Sequence, residues 1–363
     1  MRYTMKTIKL FFLLAALSVL YACDRDLRKA EDLYQRAQKI HHEETAITDP
    51  LGEAIQLLEG YLSRHHDDPA ATLLLWRCYL QAGHPRAQAM AENMRRMPER
   101  VRGVFYGEVR REREDEMRAR MVYLFGELDS TLDVKPLIKI LERDQSINVQ
   151  RAAAEVLAQR GASAAIPLLL QKLGAEQPAA RFYACGALAC FPQPQIVTAL
   201  LARLEDSNEA QDVRHQAAHA LALMGQHKFE GRHKLLEQLE RLLENQEEPA
   251  DTRLLAAYAL SALGQTRGHD LAMAYAKSDD AYLRGLAIIA LGYIGDNQAL
   301  PYLTDALLYG NKALRLQAAE ALGRLGDAKA LPTLYKALDD PSDAVRDAAN
   351  QSINRIKALS KNG

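Results

Sequence analysis

The chain has 363 residues, with 46 Lys and Arg against 47 Asp and Glu, and 48% of it is hydrophobic while only 6% is aromatic. That near-neutral balance argues against nucleic acid as the main partner, because phosphate binding needs cations gathered on one face. Ala and Leu dominate the apolar residues, which fits a long buried helical seam better than an aromatic-rich core.

At the front, Arg2, Lys6 and Lys9 precede an apolar run from Leu10 to Ala22. A run this short falls below the roughly 20 residues that span a bilayer and suits the apolar region of a signal peptide. It ends Leu20, Tyr21, Ala22, Cys23, which resembles the lipobox of bacterial lipoproteins. The resemblance implies that residues 1–22 are removed, that Cys23 is acylated, and that a lipid anchor holds the chain at a bacterial cell envelope. Several acyl chains, at about 0.8 kcal/mol per buried methylene, make a stable anchor where one does not. Cleavage elsewhere, for instance after Ser18, is the alternative. Asp24 leaves the choice of inner or outer membrane open. Loss of the three cations takes the net charge from −1 to −4.

Residues 23–100 have their own helical texture. Ala30, Tyr34 and Ala37 share one face of a first helix, a second helix starts near Glu53, and a turn through His65, His66 and Pro69 leads to a third that runs from Ala71 to Gly83. Trp76 and Tyr79 are core positions of that third helix. The helix, proline turn and helix with Tyr79 four residues before Gly83 resemble tetratricopeptide repeats, over about two units. The Arg/Glu-rich stretch Arg100–Arg120 is expected to link this module to the next as a helix.

From residue 101 to 357 a register recurs: Arg118, Gln150, Arg181, Arg214, Arg253, Arg284, Arg315 and Arg346, at gaps of 32, 31, 33, 39, 31, 31 and 31 residues. A period near 31 filled with helix formers means stacked helix pairs. Three residues on stand Ala153, Ala184, Ala217, Ala256, Ala287 and Ala318, and seven on stand Leu157, Leu188, Leu221, Leu260, Leu291 and Leu322. Both slots lie on one helical stripe. Eleven on come Gly161, Gly225, Gly264, Gly295 and Gly326, with Pro192 breaking the series, and a left-handed glycine is the usual way to end such a helix. Pro136, Pro167, Pro301 and Pro332 open the partner helices, where a missing N–H costs nothing. The 39-residue gap contains an insertion at residues 226–249, in which Gly231 to Asn245 reads as one charged helix. It is read either as a solvated extension of an outer helix or as a bend or lip of the array.

These units resemble HEAT repeats of the short bacterial type also found in phycobilin lyases, carried most clearly by residues 327–349. The resemblance implies an all-α solenoid of about eight units, with the repeat arginines pairing to acids near the turns; Asp343 with Arg346, Asp212 with Arg214 and Asp251 with Arg253 are candidates. It also raises catalysis. Deoxyhypusine hydroxylase is similar and binds two irons through repeated His-Glu pairs, but here the sole His-Glu is His42-Glu43, outside the array. His215 and His219, one turn apart, could share a metal, yet no third ligand is near in sequence, and His41-His42 and His65-His66 show no ligand pattern. Cys185 and Cys190 lie five apart, unlike a redox or zinc pair, and Cys78 and Cys185 read as buried small residues. No cofactor is expected.

One site remains. Slots 1, 5 and 9 after each repeat start point away from the Ala/Leu seam, and second helices usually line the concave side of such arrays. Phe182, His215, His219, Leu254, Tyr258, Ile289, Tyr293, Leu316, Glu320 and Arg324 would then form a mixed strip for partners. Packing against neighbouring units is the other reading of the same residues. The expectation is a non-catalytic lipoprotein scaffold for envelope proteins or peptides; a lyase-like or metal-dependent repeat enzyme, or an accessory to one, is the alternative.

Overall fold

Prolines and glycines set the beat of the helices. The computed structural model describes residues 25–38, 49–95, 98–128 and 133–362. The signal-peptide and lipidation expectations, Cys23 included, and the His42-Glu43 pair lie outside the described residues. Every regular element among the described residues is helical. They are α1 (25–38), α2 (Pro50–Leu62), α3 (Pro69–Gln81), α4 (Arg86–Arg95), α5 (Pro98–Arg111), α6 (Asp115–Leu128), α7 (Lys135–Arg143) and α8 (Ile147–Gln159). There follow α9 (Ile166–Leu173), α10 (Pro178–Leu188), α11 (Pro194–Glu205), α12 (Gln211–Gly225), α13 (Arg232–Glu244) and α14 (Ala250–Ala262). The chain ends with α15 (His269–Tyr275), α16 (Ala281–Ile294), α17 (Leu300–Tyr309), α18 (Lys312–Leu325), α19 (Leu331–Lys336) and α20 (Asp343–Asn362). The chain parts into two compact units, the first ending at Arg160 and the second starting at Gly161.

In the first unit Ala30 and Tyr34 of α1 are fully buried, together with Ala54 and Leu58 of α2 and Ala71 and Cys78 of α3. The Asp68 carboxylate caps α3 by accepting from the N–H groups of Ala70 and Ala71, and it also accepts the Tyr61 hydroxyl at 2.8 Å. Trp76 and Tyr79 are buried, as the sequence implied. Gly83, at φ +62°, turns the chain so that the His84 N–H reaches the Tyr79 carbonyl.

The expected single linking helix over Arg100–Arg120 is instead two, broken at residues 112–114. Glu112 is the cause. Its carboxylate accepts the N–H of Arg113 at 2.8 Å and of Glu114 at 3.0 Å, competing with helical bonding. The same carboxylate is held 2.6 Å from Arg77, whose side chain is entirely buried. Tyr34 and Gln38 donate to it as well, at 3.0 and 2.7 Å. Burial alone would raise the Glu112 pKa, but Arg77 and these donors outweigh it and hold the carboxyl below its ordinary value. The backbone bends because the charge is anchored there.

Across both units the repeat slots are seam positions. All six slot-three alanines and all six slot-seven leucines have no exposed surface. Pro136, Pro167, Pro301 and Pro332 sit in first helical turns. Gly161, Gly264, Gly295 and Gly326 take positive φ, whereas Gly225 stays helical. A Cβ on Gly225 would lie 2.4 Å from Leu263, so that glycine serves a close helix approach rather than a turn. The left-handed residue in that connection is Gly231, just before α13. Within the insertion α13 has 13 residues, against 12 in α11 and 8 in α9, and Leu235 and Leu239 are fully buried beneath its charges.

The arginine ladder exists, with different rungs. Arg118 pairs with Asp144, Arg181 with Glu209, Arg214 with Asp251, Arg284 with Asp305 and Arg315 with Asp340. Each acid belongs to a later turn or helix, not to the arginine's own turn. Arg214 therefore does not take Asp212, and Arg253 donates to the Leu243 carbonyl in place of Asp251. Of the expected local pairs, Arg346 with Asp343 is present. The repeat arginines also tie down their own preceding turns, as Arg181 does at Ala175 and Glu176, Arg315 at Gly310 and Arg346 at Asp340. A forked guanidinium can span a carbonyl behind and a carboxylate ahead at once, so the ladder stitches successive pairs together.

Candidate interaction strip on the second helices

Helices α12, α14, α16 and α18 are the second members of four consecutive pairs, and each packs on the next. On α12, His219 Nδ1 forms a 2.6 Å hydrogen bond with the hydroxyl of Tyr258 on α14, with the rings within 10° of parallel. His215 meets the same tyrosine ring edge-on, 5.6 Å between centroids. Tyr258 continues to Tyr293 on α16 at 5.8 Å. The Arg324 guanidinium of α18 lies 4.5 Å above the Tyr293 ring and bonds to Glu320, one turn earlier, at 3.2 Å. One line of aromatic and polar contacts thus crosses four helices.

Its electrostatics are quiet. Burial lowers the pKa of His215, helped by the neighbouring His219, so the imidazole is neutral at pH 7. Burial also lowers that of His219, helped by Arg324 and opposed by Glu320. Burial raises the Tyr258 phenol above its usual value. The remaining charges, Arg324 and Glu320, compensate each other. Such a surface offers ring faces and hydrogen-bonding edges, the chemistry that suits a peptide with apolar or aromatic side chains.

Burial divides the ten expected strip residues. Leu254, Tyr258 and Ile289 are buried, with exposures of 0%, 3% and 8%, so they are packing residues between neighbouring second helices and not open contact points. The slot-three alanines let adjacent helices approach closely, which widens the seam until it covers these slots. Phe182, His215, His219, Tyr293, Leu316 and Arg324 are half-buried, and Glu320 is exposed. These seven form the accessible set. Sequence reasoning passed over Gln216 and Gln317, half-buried side chains that lie where a Cβ on Gly186 or Gly285 would stand, at 3.0 and 2.5 Å. Glycine in two variable slots was the available signal. His215 and His219 are half-buried against Tyr258, and no group of three or more His, Cys, Asp or Glu side chains suited to a metal occurs among the described residues. Cys78 and Cys185 are buried, and burial pushes both thiols up to about 12. Cys190 is exposed.

The class defined by these elements is an all-α solenoid of stacked helix pairs. The family model for HEAT repeats matches residues 134–222 and 269–354, and those stretches are HEAT repeats. Among solved structures, human deoxyhypusine hydroxylase is 21% identical, with 70% of this chain and 98% of that one covered, at a TM-score of 0.37. The complex of CpcE and CpcF of phycocyanin lyase from a Nostoc species is 20% identical, with 63% and 95% covered, at a TM-score of 0.40. Kap95p, in a structure with RanGDP, is 16% identical, with 95% of this chain and 53% of that one covered, at 0.39. Against curated protein sequences the chain has no significant match.

Proposed function

We propose that this chain is a non-catalytic scaffold, anchored to a bacterial cell envelope through lipid on Cys23, that binds protein or peptide partners along its second helices. The observation that carries the reading is the continuous row from His219 through Tyr258 and Tyr293 to Arg324, with its half-buried flank of Phe182, His215 and Leu316. The half-buried rings of His219 and Tyr293, held rigidly against the buried Tyr258, bind without a large ordering cost. The anchor and the address rest on residues 2–23 of the sequence. No catalytic step is included: the sole His-Glu of the sequence, His42-Glu43, lies outside the array.

The test is site-specific photo-crosslinking from Leu316 and His215 in intact bacterial cells, with Tyr293→Ala and Arg324→Glu as competitors for the same contact. The reading expects one set of adducts from both positions, lost in both variants while the purified variants keep their helix content. It also expects Cys23→Ala to release the chain from membranes. Adducts that persist unchanged in both variants, or membrane association unaffected by Cys23→Ala, would sink the corresponding half.

A further inference from the structure

A second surface lies wholly within the first unit. Between α5 and α7 opens a cavity of about 630 Å³ lined by Tyr106, Val109, Pro136 and Ile140, with Arg110, Lys139 and Arg143 around it. Pro136 and Ile140 stand one turn apart on α7, and Lys139 and Arg143 form a parallel pair one turn apart beside them. All three cations are exposed. Arg143 shares its charge with Glu142 at 3.2 Å, while Arg110 and Lys139 make no ion pair among the described residues. Two carboxylates also line the cavity, and both are already committed: Glu112 to Arg77 at 2.6 Å and Asp144 to Arg118 at 3.2 Å. The groove therefore combines an apolar floor with a rim of three exposed cations, two of which make no ion pair among the described residues, in a chain that is otherwise near neutral.

We propose that this groove is a docking site for an acidic amphipathic helix of a partner protein. Two apolar side chains one turn apart would enter over Tyr106, Pro136 and Ile140, and flanking carboxylates would meet Arg110, Lys139 and Arg143. Helix-in-groove binding reads such anchors at helical spacing, and complementary charge fixes orientation and speeds encounter. The occupant's acidity follows from the exposed rim cations, and its amphipathic character from the paired apolar and basic stripes of α7. This site is independent of the second-helix strip, so either can fail alone.

The test measures fluorescence anisotropy of a short fluorescein-labelled helix built of leucine, alanine and glutamate, titrated with the full chain. A lysine-for-glutamate version of the helix serves as control. The acidic helix is expected to bind and the basic one not to. Combined Arg110→Glu, Lys139→Glu and Arg143→Glu should weaken the acidic helix by about tenfold or more, and Ile140→Ser should weaken it without altering its salt dependence. Tyr293→Ala should leave it unchanged. All three reversals are on exposed side chains, and circular dichroism checks whether helix content is retained. No binding of the acidic helix, equal binding of both helices, or equal affinity of the triple variant would overturn the proposal. So would concentration-dependent self-association abolished by the triple variant, which would assign the groove to a second copy and the acidic row Glu237, Glu240 and Glu244 of α13.

Discussion

The two units differ in how they hold their most buried charges. Before Arg160, charge is concentrated: Arg77 and Glu112 have no exposed side-chain surface, and Tyr34, Gln38 and Glu108 converge on the pair. From Gly161 onward it is distributed along rungs, Arg181, Arg284 and Arg315 being 15–20% exposed and Arg214 3%, an arrangement the first unit shares at Arg118 with Asp144. A concentrated pair locks one arrangement of α1, α3 and α5, and fails as a whole when one member is lost. A ladder fails one rung at a time, as expected where each repeat leans only on its neighbours.

The sharpest break of that contrast is Arg77→Met. It leaves Glu112 buried without its counter-charge and should cost about 3–5 kcal/mol. Urea unfolding followed by the fluorescence of Trp76, the chain's single tryptophan, reads the first unit directly. Adding Glu112→Leu should recover part of the loss. If Arg77→Met costs no more than the loss of a ladder rung, the distinction between the units collapses.

Next in size is overpacking of the seam. A Cβ on Gly292 would stand 2.6 Å from the Ala321 Cβ, so Gly292→Ala must push α16 from α18 at a cost of about 1–3 kcal/mol. Thermal melts by circular dichroism should show the drop while the Trp76 signal keeps its own transition.

A rung should matter less. Arg315→Ala removes a partly exposed pair and is expected to cost about 1 kcal/mol. Its acid partner supplies a pH signature. The hydrogen bond from Arg315 holds the Asp340 pKa below its ordinary value, so the carboxylate stabilises the fold above roughly pH 4, its unfolded range. That contribution disappears as pH falls through the lower folded value. Asp340→Asn should flatten this acid limb in a series of urea midpoints.

The smallest effect belongs to the strip. Burial depresses His215 and His219 in the folded chain, so the unfolded chain takes up more protons just below about pH 6.5. Stability is then complete above that value and declines as pH falls toward the folded pKa values. Paired His215→Gln and His219→Gln substitutions should remove that slope, and a slope that survives them would have to come from elsewhere.

Much of the architecture was legible because it depends on periodicity. Ala153 and Leu157, and their five later counterparts each, are spaced by the repeat and buried by the helical stripe they share, without reference to any distant residue. The prolines are legible for a related reason, since a first-turn N–H needs no intrahelical partner wherever the helix lies. Gly225 shows the limit: glycine at the same slot ends four other helices, yet here it admits Leu263. The helix break at Glu112 was hidden similarly, because its cause is an arginine 35 residues earlier.

The strip was legible in outline only. Slot counting found His219, Tyr258, Tyr293 and Arg324, but burial of Leu254 and Ile289 depends on how closely the neighbouring helix packs, a distance that one helix's periodicity does not contain. The rungs went astray for the same reason, since proximity along the chain favoured Asp212 for Arg214 while Asp251 sits nearer in space. By itself the sequence determined the buried Ala/Leu stripe and the proline starts of the first helices, because those follow from local dihedral preference and a fixed residue spacing. Only the packing of one pair on the next decided which acid meets which arginine, which rings touch, and where a groove with a basic rim lies, because those depend on separations across the chain.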